Sequence, residues 1–394
     1  MKSIKFRDFI TLQRGFDLPK YCMVDAEYPV IGSTSIIGYH NQYKVEPPGV
    51  VTGRSGSLGR VQYIKERYWP HNTCLWVKDF KGNDPLYVYY FLQTLSLAQY
   101  NTGVGVPTLN RNHLYALDIQ IHDLVEQRKI ACILSAYDEL IENNTRRIQI
   151  LEEMAQRIYR ELFVDFRFPG YQETRFVDSE MGRIPERWQI GKVSDIMQVL
   201  GGYPFKSKTY LREGTYGIVT IKNVKDGLFL SSCESFINDL PKNMKDHCVL
   251  HDGDILLSLT GNVGRACLIF GSDYSKYLLN QRVAKLVTKS DYHYSFIYEL
   301  CRSKEFQEKL ISISTGVAQQ NLSPIEMGKI SIIIPEDSMM EYYSEIIYPL
   351  LNEIIILNNQ NLMLRNSRDL LLAKLISGEL DVSNLDIAIS EPES

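Results

Sequence analysis

From Ile130 to Leu162 the chain carries a seam whose steps alternate four and three: Ile130, Leu134, Tyr137, Ile141, Asn144, Ile148, Leu151, Ala155, Ile158 and Leu162. That is a heptad repeat. A strand cannot use it, because strand side chains alternate faces every two residues. No Pro or Gly falls between Glu126 and Phe168. The pattern predicts one helix of about forty residues, roughly 60 Å long at ~1.5 Å per residue. Such a helix cannot bury its stripe alone and needs a partner helix.

The same chain supplies one. At an offset of 213 the positions from Leu134 onward become Ile347, Leu350, Ile354, Leu357, Asn361, Leu364, Arg368, Leu371 and Leu375. Each seam holds an Asn, Asn144 and Asn361, at non-equivalent positions. A seam Asn costs stability and fixes register. Pro349 falls inside the second pattern and is expected to kink or restart that helix. Gly378 is expected to end it.

The repetition extends beyond the helices. RGFDLPK (Arg14–Lys20) returns as GGYPFKS (Gly201–Ser207) at an offset of 187, and GSLGR (Gly56–Arg60) as GNVGR (Gly261–Arg265) at 205. NTGVGVPTL (Asn101–Leu109) returns as STGVAQQNL (Ser314–Leu322), and the strand-like Leu117–Ile121 as Ile330–Ile334, both at 213. Offsets that grow stepwise are what loop insertions produce, so the chain reads as a duplication. The expected divisions are a mixed domain over 1–122, a long helix over 123–168 and a linker over 169–186. A second mixed domain over 187–337, a second long helix over 338–380 and an acidic, frayed tail over 381–394 complete them.

The net charge of −4 argues against a nucleic-acid binder until it is divided. Residues 1–122 are net +4 and residues 183–337 net +2, while 123–182 are net −4 and 338–394 net −6. Mildly basic globular parts suit phosphate contact, and acidic helical parts suit protein contact. The seven cysteines are scattered and never form CxxC, which points to reduced thiols, a cytoplasmic setting and no zinc ribbon. No stretch approaches the ~20 apolar residues of a membrane span.

Several stretches together resemble the specificity subunits of type I restriction-modification systems. They are SEMGRIPERW (Ser179–Trp188), GGYPFKS, GDILLSLTGNVGR (Gly253–Arg265), NQRVAKL (Asn280–Leu286) and STGVAQQNLS before a strand ending in Pro335. The helix-ending ELFVDFRFPG and KLISGEL are similar too. The resemblance covers nearly the whole chain. It implies an α+β, pseudo-twofold protein: two repeated mixed α/β target-recognition domains separated by two long antiparallel coiled-coil helices. It implies a subunit without catalysis and without cofactor, each domain reading one half of a bipartite double-stranded DNA site. The helices would set the half-site spacing and dock two methyltransferase subunits, and restriction or translocase subunits can join. The alternative reading is a structural adaptor that assembles partners without base specificity.

Gly-flanked loops bearing Arg, Lys and Ser/Thr suit close approach to phosphates. Arg14, Lys20, Arg54, Ser55 and Arg60 are the candidates in the first domain. Lys206, Lys208, Thr260, Asn262 and Arg265 are their counterparts in the second. Gln281, Arg282, Gln319 and Gln320 are candidates for base edges; Gln319, Gln320 and Asn321 suit adenine, since Gln and Asn bond there bidentately. Asn321 is read first as turn and capping chemistry. Enzyme readings lack a feature in their favour. EPPG (Glu46–Gly49) lacks the amide or acid and the aromatic of a methyltransferase site. There is no phosphate-cradling GxxxxGK[ST], and the histidines lie singly. Asp252 and Asp254 are read as a turn before a buried strand rather than as metal ligands.

Overall fold

The computed structural model describes residues 1–103, 105–316 and 320–387. It packs as two units, Met1–Leu140 with Leu364–Ser394, and Ile141–Met363. Each therefore takes part of both long helices.

In the first unit, strands Thr11–Arg14, Cys74–Asp79, Gly49–Gly53 and Val61–Ile64 form an antiparallel sheet in that order. Both of its faces are covered, and the period-two alternation of strands divides the side chains between them. Val50, Leu75 and Val77 enter a core with Tyr87, Val88 and Phe91 of helix Pro85–Thr94. Val51, Cys74 and Trp76 point the other way, against Tyr68 and Ile31. A second sheet orders Ile36–His40, Tyr28–Ile31 and Trp69–Pro70, the last pair parallel. Lys2–Lys5 pairs with Asp118–Ile121.

The second unit repeats this order. Met197–Gly201, Val283–Thr288, Ile255–Ser258 and Ala266–Leu268 form the antiparallel sheet. Ile255 and Leu257 enter the large core, and Leu256 the small one behind it. Tyr216–Val219 again lies parallel to its neighbour, here Lys276–Leu279. Gln189–Lys192 pairs with Ser331–Ile334. Val249–Leu250 pairs antiparallel with Lys276–Leu279, as Val45 bridges Tyr68 in the first unit.

The long helices span Leu124–Tyr159, continued by a π turn over Arg160–Val164, and Asp337–Ser377. The first begins in a capping box: Asp123 Oδ1 accepts the Glu126 N–H at 2.9 Å, and Glu126 Oε2 accepts the Asp123 N–H at 3.4 Å. Every seam position is buried or half-buried. Within the second unit Arg147 meets Glu353 at 2.7 Å, and Thr145 accepts from Asn361 at 3.4 Å. Partner numbers fall on one helix as they rise on the other, so the helices there run antiparallel. Within the first unit the polar seam residue Arg368 is met by Asp138 at 2.5 Å, whose other oxygen accepts from Tyr90 at 2.6 Å.

Two expectations need correction. Of the kink or restart expected at Pro349, the restart does not occur: the second helix runs unbroken past it. Pro349 is exposed, whereas Ile347 and Leu351 beside it are fully buried. A Pro costs a helix ~3 kcal/mol, and burying two such aliphatic side chains returns about as much. The linker over 169–186 contains a hairpin, in which Phe176–Ser179 pairs with Gly182–Pro185. The tail does not fray from its start. Val382 is buried, and Lys129 Nζ donates to the carbonyls of Val382 and Ser383 at 3.2 and 2.7 Å.

Candidate nucleic-acid interface

In the first unit, loops distant in sequence are zipped together through their backbones. Ser55 bridges Thr108, and Asn101 bridges Leu109. The Gly56 N–H donates to Pro107 O at 2.9 Å, and the Leu109 N–H to Arg54 O at 2.8 Å. The Arg54 and Ser55 amides both donate to Thr73 O, at 2.8 and 3.1 Å. Ser33 Oγ donates to Ser55 O and Thr73 O, drawing the Gly32–Ser35 turn into the group. Asn72 donates to Asp17, which also pairs with Arg14 at 3.1 Å.

The second unit builds the same arrangement from different side chains. Thr260 bridges Asn321, the Gly261 N–H donates to Gln320 O at 3.1 Å, and the Leu322 N–H to Leu259 O at 2.8 Å. The Leu259 N–H donates to Arg282 O at 2.9 Å, and the Gln281 N–H to Tyr203 O at 3.1 Å. Backbone bonding is indifferent to side-chain identity, so one scaffold can present different residues to a ligand.

The structure holds Arg54 and Ser55 against Thr108 and Leu109, with Arg60 at the end of the same glycine-bearing turn. In the second unit it brings Thr260, Asn262 and Arg265 together with Gln281, Arg282 and Gln320. Arg60, Lys20, Lys206, Lys208, Asn262, Gln281 and Arg282 are exposed; Arg54, Ser55, Thr260, Arg265 and Gln320 are half-buried. Among the described residues, Lys20, Arg54, Arg60, Lys206, Lys208, Arg265 and Arg282 make no salt bridge. Arg14 differs, being partly neutralised by Asp17. The Thr260 hydroxyl is out of water and has no hydrogen-bond partner among the described residues. Asn321 acts through its backbone, exchanging hydrogen bonds with Thr315 at 2.8 and 2.9 Å; Ser323 stands at the N-cap position of the following short helix, without a side-chain capping bond. Gln319 lies outside the described residues.

Two loop glycines face protein rather than open space. A Cβ on Gly15 would stand 2.1 Å from His71 O, and one on Gly202 2.4 Å from Asn280 O. At these two positions the glycine admits a neighbouring strand end, not a phosphate. Gly56 is the opposite case, with φ of 87° and nothing within 4 Å of the place a Cβ would take. It supplies a left-handed turn.

Sequence reasoning missed Ser33, Asn72 and Thr73. Ser33 lies in the Gly32–Ser35 turn, and Asn72 and Thr73 in a short connection with no glycine or basic pattern to mark it. The signal available was the repeat itself, since the Phe16–His71 and Tyr203–Asn280 bridges correspond and so align Asn72 with Gln281. Beside them, burial pushes the Cys74 thiol up to about 12, leaving it a small buried hydrophobe. Asp252 and Asp254 behave as turn residues. Asp254 Oδ2 accepts from the His251 amide at 2.8 Å and from Lys285 at 2.7 Å, and Asp252 accepts from the Ser272 amide and Asn359. No group of three potential metal ligands occurs among the described residues.

The profile of a family described as the type I restriction modification DNA specificity domain matches residues 2–153 and 185–364. The MjaIX type I restriction enzyme specificity subunit of Methanocaldococcus jannaschii is 26% identical over 305 residues, covering 76% of this chain and 70% of the relative. The MjaVIII specificity subunit of the same organism is 26% identical over 309 residues, covering 77% and 72%. Among solved structures, the S subunit of a type I restriction-modification system from M. genitalium superposes with a TM-score of 0.61 at 17% identity, over 95% of this chain and 96% of that one. That last likeness is one of fold.

Proposed function

This chain belongs to the type I restriction modification DNA specificity domain family, and from that premise we propose that it is the non-catalytic subunit that gives such a complex its DNA sequence specificity. Each unit reads one half of a bipartite double-stranded site through its zipped loop face. The observation that carries this reading is the recurrence of one backbone scaffold, Ser55–Thr108 and Thr260–Asn321, bearing arginines that make no salt bridge among the described residues. Phosphate contacts position a protein on DNA, and base-edge contacts specify sequence. Lys20, Arg54, Arg60, Lys206, Lys208 and Arg265 suit the first task. Gln281, Arg282 and Gln320 suit the second. Arg14, Ser55, Thr260 and Asn262 border the same faces.

The helices serve spacing and assembly. Leu124–Tyr159 has 36 residues, about 54 Å at ~1.5 Å per residue, less than two duplex turns of roughly 34–36 Å. Away from the seam, Tyr342, Ile346, Ile356 and Met363 of the second helix are exposed at heptad-compatible spacing. Ile150 and Met154 of the first are exposed as well. Apolar residues on the solvent side of a paired helix support docking of partner helices. The partners are two methyltransferase subunits, which restriction or translocase subunits can join, in the cytoplasm. Among the described residues, no helix is long and apolar enough to cross a membrane.

The test is selection from a random duplex library by the complex reconstituted with its methyltransferase partners, at physiological salt. Enrichment of two short blocks around a fixed gap is expected. Equal binding of all sequences would reject the reading and leave an assembly role without base specificity.

A further inference from the structure

The two units differ in one respect that their shared scaffold does not require. Between strands Ile36–His40 and Gly49–Gly53 the first unit has the short connection 41–48; the second unit has 238–254 between Phe236–Ile237 and Ile255–Ser258. The longer connection folds back onto the loop that follows Gly201. Met244 packs beside Phe205, Tyr203 and Tyr210 in a small apolar cluster with Ile237. His247 Nε2 and Gly201 O lie 2.9 Å apart, in hydrogen-bond contact. Lys206 and Lys242 line one groove, together with Asp239.

The charges on these two segments are uneven. Residues 203–213 and 238–247 carry Lys206, Lys208, Arg212, Lys242 and Lys245 against Glu213, Asp239 and Asp246. The four lysines are exposed and make no salt bridge among the described residues. In the first unit Lys20 is likewise exposed and makes no salt bridge among the described residues, but both charges of the short connection 41–48 are occupied within the protein. Lys44 stands over the Trp69 ring at 4.8 Å, and Glu46 is paired with Arg67 at 2.9 Å. Asp17, in the loop equivalent to 203–209, pairs with Arg14.

We infer that Lys242 and Lys245, on the Asn238–His247 segment anchored to the Lys206–Lys208 loop, form an additional phosphate-backbone clamp that grips the duplex beside the half-site read by the second unit. The inference rests on the DNA-reading function proposed above. Lysine suits this task, as a point charge on a flexible stem that replaces a condensed counterion without demanding one geometry. The apolar anchoring fixes the segment, while the ammonium groups stay free to follow the backbone. The grip of the two units on DNA is therefore unequal.

The experiment compares the reconstituted complex with its K242Q/K245Q form across a salt series, on the cognate duplex and on an unrelated duplex. Loss of two phosphate contacts lowers the slope of log K against log salt by about 1–2 on both duplexes, with the recognised sequence unchanged. K242R/K245R restores the slope. Phosphate-ethylation interference on the unaltered complex gives a second readout, with the interfering positions extending further at the second unit's half-site. An unchanged slope with equal interference at the two half-sites overturns the clamp, even if sequence preference is intact. A lowered slope in a complex without sequence preference supports the clamp and rejects the specificity reading.

Discussion

Thr260 and Asn321 face each other in an antiparallel bridge, and Ser55 and Thr108 do so at the corresponding positions of the other unit. In each case a glycine-bearing hairpin turn is held against the segment that precedes a short helix and a strand. The bridge turns two separate loops into one face. A side chain can then change without moving the backbone that carries it, which is the property a protein needs to read different sequences on one scaffold.

Arg282 and Arg60 are proposed for different kinds of contact, one to a base edge and one to phosphate. Arg282→Ala is expected to cost about 1–3 kcal/mol of binding and to relax selection at one base pair. Arg60→Ala is expected to weaken binding to all sequences alike and lower the salt slope by about 1. Binding titrations over single-base variants of the site check both. A uniform loss from Arg282→Ala would remove it from base reading.

Gly202→Ala and Gly56→Ala should differ in kind. At Gly202 the new Cβ would press on Asn280 O and Leu279 O at 2.4 and 2.5 Å, so a strand must shift, and a loss of roughly 1–3 kcal/mol is expected. At Gly56 only the left-handed backbone resists, at about 1–2 kcal/mol. Denaturation measures the stability cost, and DNA binding should fall further for Gly202→Ala than its stability loss explains. Equal stability losses with equal binding would contradict the close-approach role.

Asn361 is almost fully buried, with one weak hydrogen bond to Thr145 and an Oδ1 that has no partner among the described residues. Asn361→Leu removes that unsatisfied atom and is expected to raise stability by about 1 kcal/mol. A lower melting temperature would show that the Asn is satisfied in a way its neighbours do not indicate.

Glu299 supplies a pH dependence. Burial pushes its carboxyl up to about 7 from the ordinary 4.5, although Arg302 lies 4.0 Å away; Glu152 and Asp226 also face it. The unfolded chain releases this proton near the ordinary value, and the folded chain only near 7. Between those values folding binds an extra proton, so stability is full at the acid end of the window and falls as pH rises through it. The loss is at most about 3 kcal/mol. Thermal melts from pH 5 to 7.5 should show a decline in the unaltered protein that Glu299→Gln lacks. Parallel slopes would contradict it.

The helices were legible because a heptad is a long pattern that only one kind of element satisfies, and the buried seam from Ile130 to Leu375 follows it. The duplication was legible because loop sequences kept their order. The pairing of Ser55 with Thr108 was not, since backbone hydrogen bonds leave no mark on residue choice. Asn72 and Thr73 were hidden for the same reason. Pro349 misled because the local cost of a proline is visible in sequence, while the burial of Ile347 and Leu351 that offsets it is tertiary. Val382 was lost inside an acidic stretch whose composition suggested only solvation.

The most direct measurement is a map of methylated bases across the host genome with this gene intact and deleted. Deletion is expected to abolish methylation at one split motif, two short blocks around a fixed gap, and to leave other motifs untouched. Persistence of every methylated motif in the deletion strain, while the partner methyltransferase is expressed and active, would contradict the specificity role.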